Sequence, residues 1–234
     1  YIKGKPGEPV LISWDDAETT FHEFGHALHG LLSDVNYPTL AGTNVARDFV
    51  EYPSQINEHW LATPQVLKRF ALHYQTEEPI PDELVQKMNS ASTFNQGFAT
   101  VEYLSSALVD MKLHLAGGQD IDIDSFERET LEEIGMPKSI VMRHRTPQFA
   151  HIFSGDGYSA GYYSYIWSEV LDQDSWKAFN EKGDPFNREV AERFRLHILS
   201  AGNKLDPAES YRKFRGNDPS ITPLLEARGF PVNE

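Results

Sequence analysis

The sequence of 234 residues contains no cysteine. Disulfide bonds and thiolate metal ligands are therefore excluded, and any transition-metal site must be built from histidine and carboxylate side chains. A cytoplasmic location is the one that fits this composition best, and we expect it.

Basic residues and long apolar runs are also scarce. The chain has 21 lysines and arginines against 35 aspartates and glutamates, for a formal net charge of −14, and no concentrated basic run. Such a surface repels nucleic acids and anionic membranes, so neither is expected as a main partner. No stretch approaches the roughly 18 consecutive apolar residues of a membrane span, and the first residues do not resemble a secretory signal.

What remains is the composition of an ordinary globular protein, with 40% hydrophobic and 24% charged residues. A chain of this length buries a sizeable core. Helical patterns predominate, and no repeat, low-complexity tract or Ser/Gly linker interrupts them. We therefore predict a mainly α fold in which residues 1–234 form one unit. The abrupt start at Tyr1 suggests a fragment or a processed chain.

The first 33 residues predict a strand followed by a helix. The apolar run PVLI at residues 9–12 follows a Gly/Pro-rich lead, which is typical of a short strand. Ser13 and Asp16 have the spacing of a capping box, so we expect a helix to begin there and to run to about residue 33. Its predicted apolar side consists of Phe21, Phe24, Leu28 and either Leu31 or Leu32.

The stretch HEFGH at residues 22–26 is the strongest chemical signal on this helix. His22 and His26 are four residues apart, so their imidazoles point the same way. The H-E-x-x-H pattern presents two neutral imidazoles to a zinc ion, with Glu23 beside the remaining open position. The alternative is an amphipathic helix whose polar residues face solvent, and the pattern by itself does not decide between the two.

A zinc site of this kind needs a third ligand from elsewhere. His29 cannot easily turn toward an ion held by the two earlier histidines, and we expect it to pack or to make a partly exposed polar contact. The metzincin pattern is excluded because Leu32 stands where its third histidine would be. Three acids of the following helix remain as candidates: Asp48, Glu51 and Glu58. Spacing favours Glu51 only weakly.

A second signal is the glycine- and tyrosine-rich stretch SGDGYSAGYYSY at residues 154–165. It is not a dinucleotide loop, because the glycine spacing is one residue too long and Asp156 would repel phosphate. Tyrosine hydroxyls can instead donate hydrogen bonds to an oxyanion. Tyr158, Tyr162 and Tyr165 share one face if the segment is helical, although spacing alone favours an aromatic stripe packed in a core.

A small basic patch, Arg143–Arg145, precedes this stretch. It is either surface charge or an anchor for the terminal carboxylate of a peptide, which arginine binds in a fork. We take Arg145 as the candidate substrate contact.

Three stretches, in this order, resemble the thimet oligopeptidase family of zinc metallopeptidases: FHEFGHALHGLL, RDFVEYPSQINEHW and HIFSGDGYSAGYYSYIW. The second of these stretches and the glycine- and tyrosine-rich stretch at residues 154–165, called the tyrosine loop below, are most similar to its peptidyl-dipeptidase branch. The resemblance extends over nearly the whole chain. It implies a gluzincin-type helical catalytic region with a short strand before the metal helix. It also implies that residues 1–234 are the carboxy-terminal catalytic part, and that a long amino-terminal part, the opposite wall of the substrate channel, is a possible partner.

The resemblance further implies a ligand set and a base. One Zn²⁺ would be held by His22, His26 and Glu51, with Glu23 as the general base. Glu58 is then either a residue that holds the second nitrogen of a ligand histidine or an acid on a helix surface.

The resemblance gives the tyrosine loop a chemical role as well. His151, Tyr158 and Tyr165 would bind substrate and stabilise the transition state, and Tyr162 is a candidate substrate contact. The implied activity is hydrolysis of short, unfolded peptides with release of dipeptides from the carboxyl end. The alternatives are internal cleavage of oligopeptides and a zinc- or peptide-binding module without catalysis.

Overall fold

A computed structural model describes residues 4–232 of the chain. The described residues form eleven α-helices joined by turns, short 3₁₀ segments and the π-helical segment Arg195–Leu199, which confirms the predicted mainly α class. The helices are α1 (Trp14–Leu31), α2 (Arg47–Val50), α3 (Tyr52–Glu58), α4 (Pro64–Phe70), α5 (Asp82–Ser92), α6 (Gln96–Leu115), α7 (Ile123–Glu133), α8 (Ser164–Glu181), α9 (Arg188–Phe194), α10 (Pro207–Arg215) and α11 (Thr222–Ala227). None of the helices in residues 4–232 is long and apolar enough to cross a membrane.

The short strand predicted at residues 9–12 is wrong. These residues have no β partner, and the side chains of Val10, Leu11 and Ile12 are exposed. In the described part of the chain, the only β pairing is an isolated antiparallel bridge between Leu72 and Pro79. A strand needs a neighbour for its backbone N–H and C=O groups, and an apolar run by itself does not supply one.

Internal contacts divide the chain into two compact units. That residues 1–234 form one catalytic domain stays a prediction. The first unit comprises the described residues up to Ser92 and from Ser168 onward, and the second is Thr93–Trp167. Neither boundary carries a Gly/Ser-rich linker, and the later one lies inside α8. Composition therefore contained no signal of the division.

The core of the first unit is built around α3 and the helices that follow Ser168. Tyr52 and Ile56 are fully buried there, and Pro53 is accommodated in the first turn of α3. The buried cluster consists of Phe49, Tyr52, Ile56, Leu171, Ala178, Phe179, Val190, Phe194, Ile198, Leu199, Tyr211 and Phe214.

Helix α1 begins as predicted but buries an unexpected face. Ser13 accepts a hydrogen bond from the Asp16 backbone N–H, and the Asp16 side chain accepts one from the Ser13 backbone N–H, which completes the capping box. Phe24 is exposed, contrary to prediction, and the residues of α1 that are buried are Gly25 and His29. This face is shaped by close approach to a neighbouring helix instead of by large apolar side chains.

The second unit contains α6, α7 and the tyrosine loop. The buried Glu127 of α7 accepts hydrogen bonds from the backbone N–H and the hydroxyl of Thr146, at 3.0 and 3.1 Å. This contact fixes the segment that leads into the 3₁₀ turn Ala150–Phe153 and the loop after it.

Candidate metal site and tyrosine loop

The two histidines of α1 meet a carboxylate from the joint between α2 and α3. Glu51 is the single residue between these helices, and only 7% of its surface is exposed. Its Oε2 lies 3.2 Å from Nε2 of His22 and 3.2 Å from Nε2 of His26. Of the three acids that spacing left open, Glu51 is the one that joins the histidines, and the ligand atoms of all three residues lie within 4.8 Å of one another.

This donor set fits a zinc ion. Zinc prefers histidine nitrogen and carboxylate oxygen when no thiolate is present, and catalytic sites use three such ligands. In a tetrahedral site with bonds of about 2.0–2.1 Å, ligand atoms are about 3.3–3.4 Å apart. Both histidine-to-Glu51 distances, at 3.2 Å, agree with that geometry.

Glycine allows α1 and α3 to approach closely enough for the three candidate ligands to meet. A Cβ on Gly25 would lie 2.6 Å from the Ser54 Cα and 2.7 Å from the Pro53 carbonyl oxygen. The Asn57 side chain of α3 also donates a 2.6 Å hydrogen bond to the Phe21 carbonyl of α1. The sequence analysis did not single out Gly25 or Asn57. The available signal for Gly25 was its place inside a strong helical pattern, where a glycine often marks close packing.

Contacts on its other side hold α3 against α8. The Tyr52 hydroxyl lies 2.6 Å from the Ser175 hydroxyl, and the His59 imidazole contacts the buried Asp172 carboxylate. Burial lowers the pKa of His59, but the negative charge of Asp172 outweighs burial and the net shift is upward. The helix that follows Glu51 is thus fixed on both sides.

Glu58 contacts the remaining nitrogen of His22. Its Oε1 lies 2.6 Å from His22 Nδ1, so the first of the two predicted alternatives for Glu58 describes its position. A carboxylate in this place accepts the Nδ1–H hydrogen bond and leaves Nε2 free to bind a metal.

The electrostatics of the cluster follow from these contacts. Burial disfavours ionisation of Glu51, but hydrogen bonds from His22 and His26 outweigh it and lower the pKa of Glu51 to about 2. Burial likewise disfavours the charged form of His22, but Glu51 and Glu58 outweigh it and raise its pKa to about 9. A metal ion competes with the proton on His22, because an imidazole ligand binds in its neutral form.

Glu23 and His29 differ sharply in environment. The Glu23 side chain is exposed, and it makes no hydrogen bond or ion pair with other described residues. His29 is fully buried, outside the three-residue cluster. Burial, helped by the nearby His26, lowers the pKa of His29 to about 4. The packing role expected for His29 is therefore confirmed, and the expected partial exposure is not.

In the second unit, the predicted tyrosines gather around His151. The Tyr165 hydroxyl lies 3.3 Å from His151 Nε2. The ring centroids of Tyr158, Tyr162 and Tyr165 lie 5.1, 5.5 and 5.8 Å from that of His151. They do not share a helix face, because α8 begins only at Ser164 and turns precede it. Burial raises the pKa of Tyr162, so its hydroxyl stays protonated and able to donate.

Arg145 is engaged by two carboxylates of α7. Its guanidinium lies 2.8 Å from Asp124 and also contacts the buried Glu127. Arg145 therefore ties its segment to α7, and its role as a substrate contact stays a prediction.

Known proteins resemble the chain over nearly its whole length. Residues 2–230 match the sequence model of peptidase family M3. The chain is 50% identical to dipeptidyl carboxypeptidase of Escherichia coli K12 over 99% of this chain and 34% of that protein. It is 39% identical to oligopeptidase A of the same strain over 95% of this chain and 33% of that protein. It therefore spans about a third of the length of these relatives.

Proposed function

Because the chain belongs to peptidase family M3, we propose that it is the zinc-binding catalytic part of a metallopeptidase that hydrolyses short, unfolded peptides. The observation that carries the proposal is the convergence of His22, His26 and Glu51, with the exposed Glu23 directly after the first histidine. A purely structural zinc site has no need of an acid in that position.

The three ligands would hold one Zn²⁺ and leave a position open for water and for the carbonyl of the bond to be cut. Bound Zn²⁺ supplies Lewis-acid polarisation of that carbonyl and lowers the pKa of water to about 7. Glu58 holds the Nδ1–H of His22, which fixes the tautomer and the ring orientation that metal binding requires.

Glu23 acts as the general base in this proposal. Its carboxylate accepts a proton from the attacking water and then delivers that proton to the leaving amine nitrogen. The absence of competing contacts from other described residues leaves this carboxylate available for the transfer.

His151, Tyr158 and Tyr165 would bind the substrate and donate hydrogen bonds to the oxyanion that develops from its carbonyl, with Tyr162 as a further substrate contact. Their clustering around one imidazole supports a shared role. Each lost oxyanion donor typically lowers turnover by about 10²–10³-fold.

Release of dipeptides from the carboxyl end is the outcome that we propose, supported by the 50% identity to a dipeptidyl carboxypeptidase. Internal cleavage is the second candidate, supported by the 39% identity to an oligopeptidase. A polypeptide corresponding to the rest of these relatives is the partner that we propose for this chain.

Mass spectrometry of a peptide digest tests the proposal. The full chain is incubated with a peptide that has a blocked amino terminus and a free carboxyl terminus. Parallel samples contain chelator, or chelator followed by excess Zn²⁺. Stepwise loss of carboxyl-terminal dipeptides, stopped by chelator and restored by zinc, is the expected result. Internal cuts with the same metal dependence would favour the second candidate. No cleavage by a folded, zinc-loaded sample would contradict both and leave a binding module without catalysis.

A further inference from the structure

The tyrosine loop is held by a buried carboxylate from α6. Asp110 has no exposed surface, and its two oxygens accept hydrogen bonds from two loop backbone N–H groups. The Ala160 N–H donates to Oδ1 at 3.0 Å, and the Tyr162 N–H donates to Oδ2 at 2.9 Å. The imidazole of His114, one turn further along α6, lies 2.8 Å from Oδ1.

A carboxylate is costly to bury unless hydrogen bonds replace the water that it loses. Among the described residues, no arginine or lysine pairs with Asp110, so the loop backbone and His114 satisfy it. The loop and the carboxylate therefore depend on each other.

The backbone between these two N–H groups has an unusual conformation. Ala160 has a φ of +54°, in the left-handed region that residues with a Cβ seldom adopt. Such a conformation persists where the surrounding structure determines it. Asp110 binds the N–H of Ala160 itself and that of the second residue after it, and so specifies this turn.

A second side chain of α6 completes the attachment. Tyr103 lies seven residues before Asp110, on the same face of the helix. Its hydroxyl donates to the Tyr162 carbonyl and accepts a 3.3 Å hydrogen bond from the Ile166 N–H. Its ring stacks on that of Tyr162 with centroids 5.2 Å apart. Tyr162 is thus held at its N–H, at its carbonyl and at its ring.

We propose that Asp110, assisted by Tyr103, is a positioning residue that sets the places of Tyr158, Tyr162 and Tyr165 around His151. The inference rests on the proposed function, because these tyrosines matter for catalysis only if they bind substrate or the transition state. Asp110 itself touches neither. Its contribution to the reaction is the geometry of the donors, and misplacement by about 1 Å can cost about 10²-fold in rate.

Asp110→Asn is the main test, in the full chain loaded with zinc. Asparagine keeps the shape of aspartate but turns one of the two acceptors into an NH₂ group that faces a backbone N–H. We expect kcat to fall by about 10–100-fold because the oxyanion donors are misplaced. KM should rise because Tyr162 is a proposed substrate contact, while zinc affinity should change by less than about threefold. The matched control is Asp122→Asn in the same unit, which alters a solvent-exposed aspartate that accepts the Ser125 N–H at the start of α7. The control is expected to keep wild-type kcat.

Hydrogen exchange of the loop amides provides a readout that does not depend on catalysis. In Asp110→Asn, amides of residues 158–163 should exchange faster while those of α1 stay protected. Unchanged exchange in the loop would overturn the proposal. Faster exchange with unchanged kcat would overturn the positioning role. If Tyr165→Phe also kept full activity, the catalytic function proposed for the tyrosines would itself be wrong.

A milder variant covers the case in which Asp110→Asn does not fold. Tyr103→Phe removes only the hydroxyl and keeps the stacked ring. We expect a roughly 3–10-fold loss of kcat/KM, since Tyr162, a proposed substrate contact, loses one of its attachments. In a Tyr165→Phe background the same substitution should cost much less, because both act through the loop. Wild-type kcat/KM in Tyr103→Phe would contradict the proposal.

Discussion

Gly25 of α1 lies so close to Ser54 of α3 that a Cβ on the glycine would be 2.6 Å from the Ser54 Cα. The obstacle is backbone, which cannot turn aside as a long side chain can. The two helices must therefore separate if any larger residue replaces the glycine, and Glu51 at the start of α3 must move with them.

Gly25→Ala should destabilise the fold and weaken the metal site together. We expect a loss of about 1–3 kcal/mol in the free energy of unfolding, the usual cost of overpacking, and a drop in zinc affinity. Urea unfolding and chelator competition measure the two effects. Gly30→Ala in the same helix is the matched control, because its Cβ would meet nothing within 4 Å. It should stabilise the protein by about 0.5–1 kcal/mol. Equal effects at the two positions would refute the packing argument.

Glu58→Ala should weaken zinc binding by about 10–100-fold, because His22 loses the acceptor that orients its ring. Glu58→Gln should lose much less, since the amide oxygen can still accept the Nδ1–H hydrogen bond. Competition with a chromophoric chelator gives both affinities. If both variants bound zinc equally weakly, the charge of Glu58 would matter and not its hydrogen bond. If both bound zinc as tightly as the wild type, Glu58 would have no role in zinc binding.

Glu23→Gln should retain zinc and lose turnover. Removal of a general base typically costs about 10²–10⁴-fold in rate, and no described contact links Glu23 to the fold. Metal content by mass spectrometry and kcat with a peptide substrate test the two halves of this prediction. Asp15→Asn, in the exposed first turn of α1, removes one acidic charge from the same helix and should keep wild-type kcat. Normal hydrolysis by Glu23→Gln would show that the mechanism is wrong.

His29 should make stability depend on pH below neutrality. Burial lowers its pKa from 6.5 to about 4, so the unfolded chain binds this proton more readily than the folded one. The contribution to stability is complete above pH 6.5 and is lost as the pH falls through 4. Between pH 7 and pH 5, the wild type should lose about 2 kcal/mol more than His29→Leu. Urea unfolding with chelator in both samples measures the difference, and parallel curves would argue against a buried neutral imidazole.

Sequence patterns predicted what depends on neighbouring residues along the chain. The capping box of Ser13 and Asp16 and the shared face of His22 and His26 are local, and the structure contains both. Spacing could not choose Glu51, because the choice depends on how α3 docks against α1; the family resemblance supplied it.

The features that were missed depend on contacts between distant segments. Among the described residues, the run at 9–12 has no strand partner. Phe24 is exposed, while Gly25 beside it packs closely against α3. Asp110 was missed because the loop groups that it binds are backbone N–H groups about 50 residues further along the chain. Backbone partners leave no trace in side-chain composition.

The split origin of the ligands sets the order in which the site can assemble. His22 and His26 belong to one helix and can come together as soon as that helix forms, whereas Glu51 arrives only when α3 docks against it. Before that docking, the chain would offer a metal only the two imidazoles of α1. If the proposed site binds zinc, full metal retention would therefore report that α1 and α3 have docked, and an occupied site would serve as a marker of correct folding.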